Sequence, residues 1–157
     1  MGNLKEILEN HKKWLFGNGG ERADLCDADL RDADLRGAEA NHHTSGYWLV
    51  CPETGEFTAY KKCRDELIVT LKIQADAKRS SATTRKCRAS KAIVVDIEDN
   101  NGVKFTEAIS NHDCEFVYRV GETVEVVDYD ENRWNECSRG IHFFMSKREA
   151  ELWCQVT

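Results

Sequence analysis

Six cationic side chains, with no acid among them, stand between Lys78 and Lys91, where the sequence reads KRSSATTRKCRASK. They are Lys78, Arg79, Arg85, Lys86, Arg88 and Lys91, and Ser80, Ser81, Thr83, Thr84 and Ser90 are interleaved with them. Guanidinium forks beside hydroxyl and amide donors are what a phosphate or another compact polyanion requires of a protein. A second stretch, WNECSRGIH from Trp134 to His142, brings an indole, the Ser138 hydroxyl, the Arg139 guanidinium and the His142 imidazole close together. An aromatic face that stacks on a base and cations that meet a phosphate are the parts of a nucleotide site. The plainer alternatives are a solvated basic loop for the first stretch and ordinary core or strand packing of Trp134 and His142 for the second. The expected ligand-binding set is therefore Lys78, Arg79, Ser80, Ser81, Thr83, Thr84, Arg85, Lys86, Arg88, Trp134, Ser138, Arg139 and His142.

Thiol chemistry is the competing possibility. Cys137 with His142, or Cys87 with His112 and Asp113, has the residue types of a nucleophile and its base. Cys87 also sits among Arg85, Lys86, Arg88 and Lys91, which would lower a thiol pKa if the sulfur were exposed. No motif of a cysteine enzyme accompanies either pair, and buried cysteines are commonly inert packing. The expectation is a binding protein with no catalytic residues. The seven cysteines are irregularly spaced without a C-x-x-C pair, and His42-His43 stands in a linker, so neither a metal site nor a cofactor is expected.

The elements that must position these groups begin with a helix. Asn3 followed by Glu6 has the form of a capping pair, and Leu4, Ile7, Leu8, His11, Trp14 and Leu15 fall close to one helical face before Gly17 stops it. A five-residue repeat follows: Ala23-Asp24-Leu25-Cys26-Asp27, Ala28-Asp29-Leu30-Arg31-Asp32, Ala33-Asp34-Leu35-Arg36-Gly37, then Ala38-Glu39-Ala40. Five residues advance a helix by about 500°, so its leucines would share no face. In a strand an odd period would flip them from side to side at every repeat. A backbone that turns a corner every five residues points every Ala and Leu inward.

From Tyr47 the texture changes to short apolar segments separated by turn signals. Tyr47–Cys51 and Glu56–Tyr60 flank Pro52-Glu53-Thr54-Gly55 as a hairpin. Leu67–Ile73 and Ala92–Ile97 read as core strands, the latter leading through Asn101-Gly102 into Val103–Ile109. Phe116–Val120 and Thr123–Val127 flank Gly121-Glu122 as a second hairpin, and Gly140–Phe144 is the last strand. Ser146 with Glu149 is a capping box that opens a final helix through Trp153. Residues 122–136 hold six acids beside Arg133, either a solvated face or an internal partner for the basic run.

Length and charge bound the rest. The chain has 157 residues, 41% of them hydrophobic, with a formal charge of −6, which allows a sizeable core and argues against general nucleic-acid binding. A local basic patch on an acidic protein points to a small anion or to a partner met at one spot. No apolar run is long enough to cross a bilayer and no signal peptide is evident, so a cytoplasmic protein with reduced thiols is expected.

Two resemblances add to this reading. Ala23–Ala40 resembles the pentapeptide-repeat β-solenoids, whose square coils take four pentapeptides each. The resemblance implies about one coil here, a cap or docking element that must stack on the first helix, on the rest of the chain or on a second copy. FTAYKKC (57–63), KRSSATTRKCRAS (78–90), FVYRVGE (116–122) and ECSRGIHFF (136–144) resemble an uncharacterised domain found largely in bacteriophage genomes behind a helix and pentapeptide repeats. That resemblance implies a phage or prophage origin and expression in the bacterial host cell, and brings no activity with it.

The expected fold is α+β: a helix and Gly-rich turn over 1–20, a pentapeptide-repeat coil over 21–42, and a mainly antiparallel domain ending in a helix over 43–157. The expected function is sequestration, without turnover, of a phosphate-bearing small molecule, a nucleotide signal of host defence. The expected partners are that anion and further copies of the chain, through the helix and coil, with no membrane. The alternative is an acidic pentapeptide-repeat inhibitor docking on a host protein, as a mimic of DNA or otherwise.

Overall fold

A computed structural model describes residues 4–21 and 48–153, which fall in two units treated separately below. The first holds helix α1 (Leu4–Leu15). Ile7 and His11 are its half-buried positions one turn apart, and the His11 and Trp14 rings stack with centroids 5.4 Å apart. Gly17 ends it as expected: at φ 68° its N–H donates to the Trp14 carbonyl at 3.2 Å. The Asn3 cap, the pentapeptide coil and His42-His43 lie outside the described residues.

The second unit runs β1 (Phe57–Lys62), β2 (Ile68–Ile73), β3 (Arg79–Ser80), β4 (Cys87–Ala89), β5 (Lys91–Glu98), β6 (Glu107–Ile109), β7 (Val117–Arg119), β8 (Thr123–Glu125), β9 (Ile141–Phe143) and α2 (Lys147–Leu152). The strands form three sheets, ordered β1-β2-β5-β8, β3-β4-β9 and β6-β7, all antiparallel. This is an α+β architecture with a mainly antiparallel, β-rich body and a closing helix.

Strand β2 explains why the body folds as it does. Val69, Leu71 and Ile73 alternate into the main core, while Ile68 faces a smaller cluster with Phe144 and Ala150 beneath α2. Burying each of these aliphatic side chains contributes about 1.5–3 kcal/mol. The Ser146–Glu149 capping box is present in full at the start of α2, and the Phe144 and Trp153 rings meet at 5.1 Å.

Two expected hairpins are not formed. Residues 48–51 are not a strand; the Val50 N–H is taken by the Ser81 hydroxyl at 2.8 Å. Strand β1 instead turns through Arg64–Glu66, with Asp65 and Glu66 at φ 57° and 59°, and pairs with β2 from Phe57↔Ile73 to Lys62↔Ile68. Strands β7 and β8 flank the Gly121 turn, but β7 pairs with β6 and β8 with β5. The short turn therefore crosses between sheets. No helix among the described residues is long and apolar enough to cross a membrane.

Candidate anion-binding pocket

Strands β3 and β4 fold the basic run into a hairpin, with Arg79 opposite Ala89 and Ser80 opposite Arg88, and most of its donors are used inside the chain. Arg88 is only 2% exposed. Its guanidinium donates to the carbonyls of Asp130 (3.1 Å), Arg139 (2.8 Å) and Asn132 (2.9 Å). It also lies 5.3 Å over the Tyr129 ring, whose hydroxyl bonds to buried Ser80 at 2.7 Å. Gly140 makes this possible: at φ 153°, an added Cβ would stand 3.2 Å from the Tyr129 ring and 3.3 Å from the Arg88 stem.

Arg79 is consumed in the same way. It donates to the carbonyls of Ala77, Pro52, Gly55, Gln74 and Ala75 at 2.8–3.2 Å. Arg85 pairs with Glu149 at 2.6 Å, Lys91 with Asp76 at 2.6 Å, and Lys78 with Glu131. The amides and hydroxyls of Thr83 and Thr84 converge on Glu136. Trp134 lies 5.1 Å from the Arg133 guanidinium, away from the pocket lining. The physical reason is common to all of them: a folded hairpin brings its cations against carbonyls and acids from other segments, and a buried guanidinium requires such acceptors.

From this run the pocket receives Lys86, and from the second stretch Ser138, Arg139 and His142. The cavity has a volume of about 670 Å³, within the range of about 300–1,000 Å³ of small-molecule sites. Its floor includes Lys61 of β1 and Tyr118 of β7, and the β6–β7 loop contributes Ser110, His112 and Asp113. The loop before β9 supplies Cys137 to Gly140. That loop is pinned by Asp130, whose carboxyl is held at a pKa of about 2 by hydrogen bonds from Ser138, Asn135 and the Asn132 amide.

Lys61 was not singled out from the sequence, yet it is the most unusual group in the pocket. In FTAYKKC, Ala59 of β1 and Cys63 just after it are buried in the core, and the two-residue period places Lys61 between them. It is 7% exposed. Its ammonium donates to the His142 carbonyl at 3.3 Å and lies 5.8 Å from the Tyr118 ring. Among the described residues it has no carboxylate partner, and burial, with Lys86 nearby, lowers its pKa.

The other groups respond to these cations. Burial and the charges of Lys61 and Lys86 push His142 down to about 3, and the same causes in the same order lower His112. The two rings stand 6.1 Å apart. The His142 Nε2 lies 3.1 Å from the Glu136 carbonyl oxygen, which can only accept, so Nε2 carries the hydrogen of the neutral ring. Lys86 donates to the Cys137 sulfur at 3.4 Å and lies 5.2 Å over Trp153. Asp113, Glu125 and Asp128 also line the cavity, the last paired with Arg139. No group of three or more His, Cys, Asp or Glu among the described residues is arranged to hold a metal ion.

Fold and site together define a small antiparallel α+β domain whose pocket is walled by lysine, arginine, imidazole, hydroxyl and carboxylate groups. Residues 47–150 match the model of the family of unknown function DUF5758, and the chain belongs to that family. No curated protein and no solved structure matches it.

Proposed function

We propose that the chain binds a phosphate-bearing small molecule in the pocket between Lys61 and Lys86. One observation carries the reading: a buried lysine on the pocket floor has no carboxylate partner among the described residues. Desolvating an ammonium costs several kcal/mol unless an opposite charge offsets it, and a ligand anion is the group that would do so here. Lys86 supplies a second cation, and Ser138, His112 and His142 supply further polar groups on the walls. Two cations can meet both charges of a phosphate, while Asp113, Glu125 and the Arg139-paired Asp128 stand elsewhere on the lining.

The reading is of binding without turnover. Extended through the resemblance to phage-encoded domains, the ligand is a nucleotide signal of host defence, withheld and not converted.

Titration of the full chain with inorganic pyrophosphate and with nucleoside phosphates, followed by calorimetry, tests this. Saturable binding is expected, weakened about tenfold or more by Lys61→Met and by Lys86→Met, the loss of one charge-assisted hydrogen bond each. No saturable binding by any of these compounds, or affinity unchanged in both variants, overturns it.

A further inference from the structure

The carboxylate of Glu136 is held by four donors from two consecutive residues. Thr83 and Thr84 each give a backbone N–H and a hydroxyl: the Thr83 N–H, Thr83 Oγ1 at 2.9 Å and the Thr84 N–H at 3.1 Å donate to Oε1, and Thr84 Oγ1 donates to Oε2 at 2.8 Å. Consecutive amides and hydroxyls converging on one anion are the construction that proteins use for phosphate. Thr83 is exposed and Thr84 half-buried, so the cradle opens toward solvent. Burial opposes ionisation of Glu136, but the donations from Thr84 and Thr83 outweigh it and keep its pKa below the ordinary value. The side chain sits there as an anion.

The cradle is also mechanically joined to the pocket. Thr84 Oγ1 accepts from the Lys86 N–H at 3.3 Å, two residues along, and Lys86 faces the cavity. Glu136 immediately precedes Cys137, Ser138 and Arg139 of the pocket wall, and its carbonyl meets His142 Nε2. The Glu136 carboxylate thus ties the segment carrying Lys86 to the loop that forms the facing wall.

We propose that the Thr83–Thr84 cradle is a second anion subsite beside the pocket, that Glu136 occupies it as a built-in competitor, and that a phosphate group of the ligand displaces it. This rests on the phosphate-binding reading above and adds its regulation: binding opens the tie between the two walls. The competitor lowers affinity for a monophosphate and admits polyphosphates, whose second charged group takes over the cradle.

The test is titration of the ¹⁵N-labelled full chain with inorganic pyrophosphate, reading the Thr83 and Thr84 amides together with those of Lys61 and His142. Glu136→Gln keeps the shape and removes the charge. It should tighten binding by about tenfold, with the Thr83 and Thr84 amides shifting in step with saturation. Glu53→Gln removes the same charge from an exposed residue elsewhere and should leave affinity unchanged. Equal tightening in both variants, or unchanged or weaker binding in Glu136→Gln, overturns the competitor. If Glu136→Gln does not fold, Glu136→Asp shortens the reach to the cradle and should tighten binding to a lesser degree; weaker binding there overturns it as well. Wild-type binding that Lys61→Met abolishes and Glu136→Gln leaves unaltered removes the competitor alone. Absence of saturable shifts in the wild type and in every variant removes the phosphate-binding reading with it.

Discussion

The Lys61 ammonium donates to the carbonyl oxygen of His142 across 3.3 Å, so the first strand of the four-stranded sheet meets the last strand of the three-stranded one at a buried cation. An ammonium has three hydrogens to donate, and this carbonyl takes one. The contact fixes where the lysine stands without neutralising it.

Replacing Lys61 with methionine should therefore stabilise the fold. The charge is removed and the volume kept, and the gain expected in denaturant unfolding is about 1–2 kcal/mol. Because burial depresses the folded-state pKa below 10.5, the unfolded chain binds the extra proton between the two values. Wild-type stability should rise with pH through that window, and the methionine variant should lack the rise. A variant that is both more stable and unable to bind pyrophosphate would mark Lys61 as a residue whose role is binding.

His142 gives the acid limb. Its ring ionises at 6.5 when unperturbed and at about 3 in the folded state. Below pH 6.5 the unfolded chain takes up a proton that the native protein refuses, so stability present at neutral pH is lost as pH falls toward 3. Denaturant midpoints measured from pH 7 to pH 4 should fall. His142→Gln, which retains a donor for the Glu136 carbonyl, should show a shallower fall.

Arg85 and Arg88 stand three positions apart in the sequence and should behave as opposites. Arg85→Ala breaks an exposed pair with Glu149 and should change stability by less than about 0.5 kcal/mol. Arg88→Ala orphans three carbonyls at once and should cost about 3 kcal/mol or more, a fall of about 10 °C in Tm. Thermal melts of the two single variants check this. A double variant would report unfolding and say nothing about the ligand.

Gly140→Ala should also destabilise, by about 2 kcal/mol. It places a side chain at φ 153° and a Cβ against both the Tyr129 ring and the Arg88 stem. Urea unfolding measures the loss, and the neighbouring substitution Arg139→Ala, exposed and paired only at its surface, serves as the tolerant comparison.

The sequence made the strong strands and the capped helix legible because their signals are local. Alternating Val69, Leu71 and Ile73 and the Ser146–Glu149 box mean the same thing in any context. Pairing was less legible: the turns at Pro52–Gly55 and Gly121-Glu122 fix where the chain bends but not which strand receives it. The candidate pocket was half legible. Of its lining, Lys86, Ser138, Arg139 and His142 were singled out by residue type, while Lys61 was not, although the alternation of Ala59 and Cys63 around it pointed inward. Conversely, charge density singled out Arg79 and Arg88, and no local signal reveals that carbonyls more than 20 positions away in the chain, such as those of Pro52 and Asn132, absorb them.

Arg88 recognises the loop from Asp130 to Arg139 through main-chain oxygens and not through side chains. Every residue type carries such an oxygen, so the identities at 130, 132 and 139 are free to drift, as far as this contact is concerned, while the path of the loop is kept. The arginine itself has no substitute with the same fork of donors. In a randomised library, variation should accumulate at the loop-wall positions that touch neither the Asp130 carboxylate nor the Gly140 approach, letting relatives change what the pocket admits without rebuilding the framework behind it.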